Sequence, residues 1–334
     1  MLKSDKVETR HKRTPLEEVV PLQTPFILFI DPCGRCNFSC NFCPCNTSDY
    51  HKEERHKVMS LSDFKYVIDG LNEFPEKIKV IYLYGFGEPL LNTDFIGMAK
   101  YLKAADVCRE IRLVTNGYLL NPKLNDQLVE SGIDLIRISI EALNDTDYKK
   151  ICGVNVNYEK FIANIADLHK KSRGKLQVGC KIVNATISSE EDARLFHETY
   201  DPISDFAWVE DIVGGWPEFE EMVYPEGTQL EADNWIWKSD HYSKCSFSLV
   251  MMMVHSNGVV SPCPNDWKIA HNMGNAFEHT LPEIWNSEMW KKFQLLHVEE
   301  GREKIPFCQH CICSGYDKID HVTDILSSNI RRNM

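Results

Sequence analysis

An α/β fold, with a parallel sheet curved into a partial (βα)6 barrel and a small α+β domain behind it, is predicted by three features of this sequence. From about residue 25 to 213, short β-branched runs alternate with amphipathic stretches, the pattern of repeated βα units. Over 214–244 the pattern stops, and Trp, Pro, Gly and acidic residues mix without a sustained period. Beyond that come a hairpin pattern, a helix pattern and a second group of cysteines.

The strand candidates of the first region are "FILFID", "KVIYLY", "EIRLVTN", "DLIRISI", "LQVGCKIV" and "DFAWVEDIV". Helices fill the intervals, and two have readable starts. Asn121 before Pro122 places a capping residue ahead of proline at the first helical position, and Ser188 with Glu191 reads as a capping box. In parallel sheets of this kind the C-terminal ends of the strands carry the chemistry. The segments "GGWPEFEEMVYPEG" and "NWIWKSDHY" read as a linker or lid, in which Trp235 and Trp237 serve equally as pocket lining or as packing residues. Then "FSLVMMMVHSNGVVSPC" reads as a hairpin whose Asn257-Gly258 pair suits a tight primed turn, followed by a helix at about 281–300. Neither an internal repeat nor a low-complexity tract is present.

Composition narrows the function. With 334 residues and 43% hydrophobic side chains, the chain can bury a large core. The charged N-terminus lacks the apolar stretch of a secretory signal, and no run approaches the ~18 apolar residues of a membrane span. The expected location is therefore the cytoplasm, without a membrane partner. In that compartment the 13 cysteines point to metal binding or catalysis instead of disulfides. A net charge of -12 disfavours a nucleic-acid partner, and the short "RHKR" stretch reads as a solvated arm.

Five cysteines fall within "CGRCNFSCNFCPC", residues 33–45. Three of them, Cys36-x3-Cys40-x2-Cys43, sit on one short loop directly after the first strand. A [4Fe-4S] cube normally takes four cysteines, so a loop offering three leaves one iron open. A three-cysteine zinc site completed by a distant ligand is the competing reading. Cys33 and Cys45 lie outside the spacing and read as buried or incidental thiols.

This motif, with aromatic Phe42 before its last cysteine, resembles that of the radical S-adenosylmethionine (radical SAM) superfamily. The resemblance extends to "GFGEP" at 85–89 ending the second strand, "TNG" at 115–117 ending the third and "SIE" at 139–141 ending the fourth. It implies that Cys36, Cys40 and Cys43 hold a [4Fe-4S] cluster and that Phe42, Gly87, Glu88, Thr115, Asn116, Ser139 and Glu141 form the SAM site. Within that set, Gly87 and Glu88 correspond to the residues that receive the methionine amino group. Two departures stand out: Phe86 replaces a family glycine, and Cys152 in "YKKICG" stands where many relatives place an arginine near the SAM carboxylate. Lys149, Lys150 or another group would have to take over that contact.

Cys245, Gly258, Cys263 and the Cys308-x2-Cys311 pair, with "GN" at 274–275 and "LPEIWNS" between, resemble the SPASM/Twitch extension of radical SAM enzymes. Four thiolates would close one auxiliary [4Fe-4S] cluster, making two in all, whereas a four-cysteine zinc site is the alternative. Cys313 is left over as an alternative ligand, an inert thiol or a hydrogen-atom donor. The resulting division is an N-terminal arm (1–24), a radical SAM barrel (25–213), a linker or lid (214–244), a SPASM/Twitch domain (245–315) and a C-terminal tail (316–334).

The resemblance implies that the reduced first cluster cleaves SAM to a 5′-deoxyadenosyl radical, which removes a hydrogen atom from a small-molecule substrate. The electron donor would be a flavodoxin- or ferredoxin-type protein. The second cysteine spacing resembles that of twitch-type dehydrogenases that oxidise a secondary alcohol on an aminocyclitol, so oxidation of a sugar-like or cyclitol alcohol is expected. A redox-neutral epimerase using Cys313, a ribosomal-peptide maturase and an inactive scaffold are the other readings. The intact loop and "GFGEP" speak against the scaffold, and the roughly 25 residues ahead of the first strand are fewer than a leader-binding module is expected to need, although a separate protein could supply one. Glu210, Asp211 and Lys181, at or near strand ends, are the candidate bases.

Overall fold

The computed structural model describes residues 14–47, 50, 57–187, 189–210, 216, 243–311, 319 and 322–334. Six parallel strands follow the expected runs: β1 (Ile27–Ile30), β2 (Ile78–Leu83), β3 (Cys108–Thr115), β4 (Leu135–Ile140), β5 (Gln177–Val183) and β6 (Phe206–Glu210). They are joined by helices that include Leu61–Gly70, Phe95–Ala105, Pro122–Val129, Tyr158–Ser172 and Glu190–Tyr200. Each strand separates two environments by its period of two. Ile81, Leu83, Ile111, Leu113, Ile136, Ile138, Ile140, Cys180 and Ile182 are buried in one continuous apolar cluster with the helices. The opposite face carries half-buried Tyr82, Arg112, Arg137, Ser139, Lys181 and Glu210.

Local chemistry sets the helix starts. Asn121 accepts hydrogen bonds from the backbone N–H groups of Lys123 and Leu124, with Pro122 in the first turn. The helix Glu190–Tyr200 is capped by Ser189, which accepts from Asp192 N, one residue later than the capping box expected at Ser188 and Glu191. Ser188 itself lies outside the described residues.

The C-terminal part departs from expectation. "FSLV" forms a short helix (Phe247–Val250), and only Met251–Val254 form β7. This strand does not stand apart in a second sheet: it pairs in parallel with β1, Met251 opposite Ile27 and Val254 opposite Ile30. Among the described residues one sheet therefore runs β6-β5-β4-β3-β2-β1-β7-β8, with β8 (Val260–Ser261) antiparallel to β7. All four β7 residues are buried, as a strand covered on both faces requires. The turn is not of the primed type, because Gly258 alone adopts positive φ (85°) while Asn257 does not. The helix expected at 281–300 is two helices, Leu281–Trp285 and Glu288–Glu299, the second capped by Ser287. A last helix, Thr323–Arg332, joins Leu326 and Ile330 to an apolar cluster that also holds Leu16, Phe29, Met251, Met253 and Val298. Among the described residues no helix is long and apolar enough to cross a membrane.

Candidate radical and cluster sites

The loop after β1 is held by its backbone. Ser39 N donates to Cys152 O (2.9 Å) and Asn41 N to Ile151 O (3.0 Å), fixing the loop to the end of helix Asp145–Cys152. Phe38 packs edge-on against Tyr118 and Tyr148. Phe42 lies half-buried against Val183 and Ala185. Cys36 is exposed, with Cys40 and Cys43 half-buried. A second thiol accompanies each of the latter two. The Cys152 thiol beside Cys40, together with burial, pushes Cys40 well above the usual thiol range, while the Cys45 thiol beside Cys43 holds Cys43 below it. Cys45 also donates to Phe86 O (2.6 Å) and Cys33 to Arg35 O (3.6 Å), so both outlying cysteines are tied to backbone.

"GFGEP" meets this loop at close range. Glu88 N donates to Arg35 O (2.7 Å), and a Cβ on Gly87 would collide with the backbone of Cys33 and Arg35. Only glycine lets the two backbones touch here. Gly87→Ala is therefore expected to destabilise the protein by about 1–3 kcal/mol and to lower the iron bound by the loop; calorimetry with iron analysis checks both. The Phe86 side chain turns away, into the second apolar cluster, and stacks on His255 (5.8 Å, 4°). It thus connects the β2 end to the C-terminal segment.

The ends of β2, β3 and β4 converge. The Glu88 carboxylate accepts from Thr115 Oγ1 (2.7 Å), Asn116 N (2.8 Å) and Leu90 N (3.0 Å). Asn116 Nδ2 donates to Asn37 Oδ1 (2.8 Å) and lies 3.9 Å from Cys36 Sγ. Ser139 sits on the half-open face opposite Lys181 in register. Glu141, just after β4, is buried, which raises its pKa, and its Oε2 has no hydrogen-bond partner. Lys149 and Lys150 are exposed, and Lys149 Nζ donates to Gly153 O (3.3 Å) at the end of their own helix.

The half-open face of the sheet also carries residues the sequence reading missed: Tyr82, Tyr84, Arg112 and Arg137. Arg112 grips Glu110 with two nitrogens (2.7 and 2.8 Å) and donates to Tyr82 Oη (2.9 Å), while Arg137 lies over the Tyr84 ring (5.9 Å). Lys181 Nζ and Glu210 Oε2 pair at 3.1 Å. Burial raises the Glu210 pKa, but Lys181 and Arg137 outweigh it, leaving the carboxyl below its ordinary value and ionised. The signal for the two arginines was present, since "EIRLVTN" and "DLIRISI" each set an arginine, Arg112 and Arg137, within a β-branched strand run. Asp211 lies outside the described residues.

In the C-terminal region, Cys245, Cys263, Cys308 and Cys311 line a single cavity, together with Ser248 and His297. Asn265 N points at Cys263 Sγ (3.3 Å), and His297 Nε2 lies 3.9 Å from Cys308 Sγ. Burial pushes His297 down to about 3. Among the described residues no three His, Cys, Asp or Glu side chains are grouped to hold a single metal ion; these four thiols surround a space. Cys313 lies outside the described residues.

Buried polar atoms normally find partners. Of the eight buried side-chain nitrogen and oxygen atoms without one among the described residues, three belong to Asn37, Asn41 and Glu141 at the first thiol loop. Three more belong to Ser246, Ser248 and His297 at the second. Thiols in sets of three and four, each ringed by unsatisfied polar groups, fit polar iron–sulfur occupants. A sequence model of the radical SAM superfamily matches residues 30–193. The chain belongs to the radical SAM superfamily. A second model, the SPASM iron-sulfur cluster-binding domain, matches 245–312.

As a radical SAM protein the chain uses SAM and a [4Fe-4S] cluster, with further iron–sulfur chemistry in the SPASM domain. It is 34% identical to a probable GTP 3′,8-cyclase of Methanococcus maripaludis over 137 residues, 40% of this chain and 42% of the relative. It thus spans well under half the length of that relative. A tungsten-containing aldehyde ferredoxin oxidoreductase cofactor-modifying protein of Pyrococcus furiosus is 24% identical over 333 residues, covering 89% and 90% of the two chains. The crystal structure of BtrN in complex with AdoMet and 2-DOIA superposes with a TM-score of 0.55 at 18% identity, covering 86% of this chain and 93% of that one. That is a likeness of fold.

Proposed function

We propose that this radical SAM enzyme dehydrogenates a secondary alcohol of a sugar-like or cyclitol small molecule in the cytoplasm, with a flavodoxin- or ferredoxin-type electron donor. In this reading Cys36, Cys40 and Cys43 hold the first cluster, and Phe42, Gly87, Glu88, Thr115, Asn116, Ser139 and Glu141 frame the SAM site. Cys245, Cys263, Cys308 and Cys311 hold an auxiliary cluster. The observation that carries the proposal is the cavity lined by four thiols, because a cube with all four irons ligated by protein exchanges electrons without binding substrate. When bound, these groups supply a hydrogen-abstracting 5′-deoxyadenosyl radical and an acceptor for one electron.

The chain's own residues would provide the rest. Tyr84, Arg137, Lys181 and Glu210 line the half-open face with donors and acceptors suited to hydroxyl groups. Glu210, ionised at the end of β6, takes the hydroxyl proton as the radical is oxidised to a ketone. One hydrogen atom, one proton and one electron thus leave the alcohol's CH–OH unit, and a C=O double bond forms.

Glu210→Gln is expected to lower product formation about 10²–10⁴-fold while 5′-deoxyadenosine still forms, as chromatography of both products would show. The reaction type is read from product mass after incubation with candidate alcohols in deuterated buffer. A dehydrogenase gives a product two mass units lighter, unchanged by Cys313→Ala. A product one unit heavier, lost in that variant, would establish the epimerase instead. A mass change confined to a peptide substrate would establish the maturase.

A further inference from the structure

We infer that His297 and Ser248 donate hydrogen bonds to the auxiliary cluster and make it a better electron acceptor; the inference rests on the reading that Cys245, Cys263, Cys308 and Cys311 hold that cluster. Both residues line the four-thiol cavity and both are buried, at 3% and 2% exposure. His297 Nε2 lies 3.9 Å from Cys308 Sγ. A cluster-bound thiolate has no proton to give, so the contact then persists only with the proton on Nε2. Ser248 Oγ is buried with no hydrogen-bond partner, and the sulfurs of a cluster beside it would be acceptors. These are positioning residues for the electron, since neither is a ligand.

Their orientation is built in. The Ser248 carbonyl accepts from Trp290 Nε1 (3.1 Å) and Gln294 Nε2 (3.0 Å), which fixes the backbone that carries the hydroxyl. The His297 ring stands edge-on to Phe293 (4.7 Å, 69°). Reduction adds negative charge that spreads onto the sulfurs, so donors aimed at them stabilise the reduced state and raise the reduction potential. An acceptor cluster needs that shift.

The test is a spectroscopic redox titration of the reconstituted full-length enzyme, reading both clusters by electron paramagnetic resonance. His297→Phe and Ser248→Ala should each move the auxiliary midpoint to more negative potential, and together further, with the first cluster unmoved. His297→Gln, which keeps a donor, should recover part of the shift. An unchanged auxiliary midpoint in both single variants, or equal shifts for Gln and Phe at 297, would overturn the inference. Should His297→Phe lose iron, Ser248→Ala, which removes a single atom, decides alone. Metal analysis separates the two levels: zinc at this site in the wild-type protein would sink the cluster reading itself, whereas iron with unmoved potentials sinks only the role of these donors.

Discussion

Replacing Cys36, Cys40 and Cys43 together with Ala will reduce the iron content after anaerobic reconstitution from about eight atoms per chain to about four, and SAM cleavage will cease. The expectation is specific because the loop should survive the substitution. Its anchors to helix Asp145–Cys152 are backbone bonds from Ser39 and Asn41, and Phe38 packs on Tyr118 and Tyr148 regardless of the thiols. A lost cluster with retained thermal stability is therefore the anticipated pair of results. Retention of the full iron content in the triple variant would show that the loop does not hold a cluster.

Replacing Cys308 and Cys311 with Ala will abolish product formation while sparing SAM cleavage under strong chemical reductant. Both residues line the cavity with Cys245 and Cys263, far along the chain from the β1 loop. On the proposed reading, removing them takes away the electron acceptor and leaves the radical-generating half intact. Methionine and 5′-deoxyadenosine, measured beside the oxidised product, read the two halves separately. Continued product formation at the wild-type rate would rule out electron transfer through this site.

The connection between the two halves is physical. Phe86 stands where a family glycine is expected, and its ring stacks on His255, just past β7, while its carbonyl accepts from Cys45. The β2 end thereby touches both the first thiol loop and the C-terminal segment. In the sequence this position looked only like a departure from a motif. The contacts that explain it come from residues distant along the chain, which no local pattern encodes.

Much of the molecule was legible from its residues alone. The six parallel strands lie where short β-branched runs predicted them, because a strand covered by helices must place apolar side chains at alternate positions. Asn121 and Pro122 marked a helix start because capping is chemistry within three residues. The cysteine spacings and the strand-end motifs identified the superfamily, since the spacing of residues on one loop is a local feature of the chain. Other features needed the tertiary structure. The pairing of β7 with β1, the helix Thr323–Arg332 closing over Glu288–Glu299, and the gathering of Tyr84, Arg137, Lys181 and Glu210 on one face join segments far apart in sequence. Such contacts are selected by the burial of whole surfaces and by loop closure, so local residue order determined the strands, caps and cysteine spacings, and long-range packing decided which of them meet.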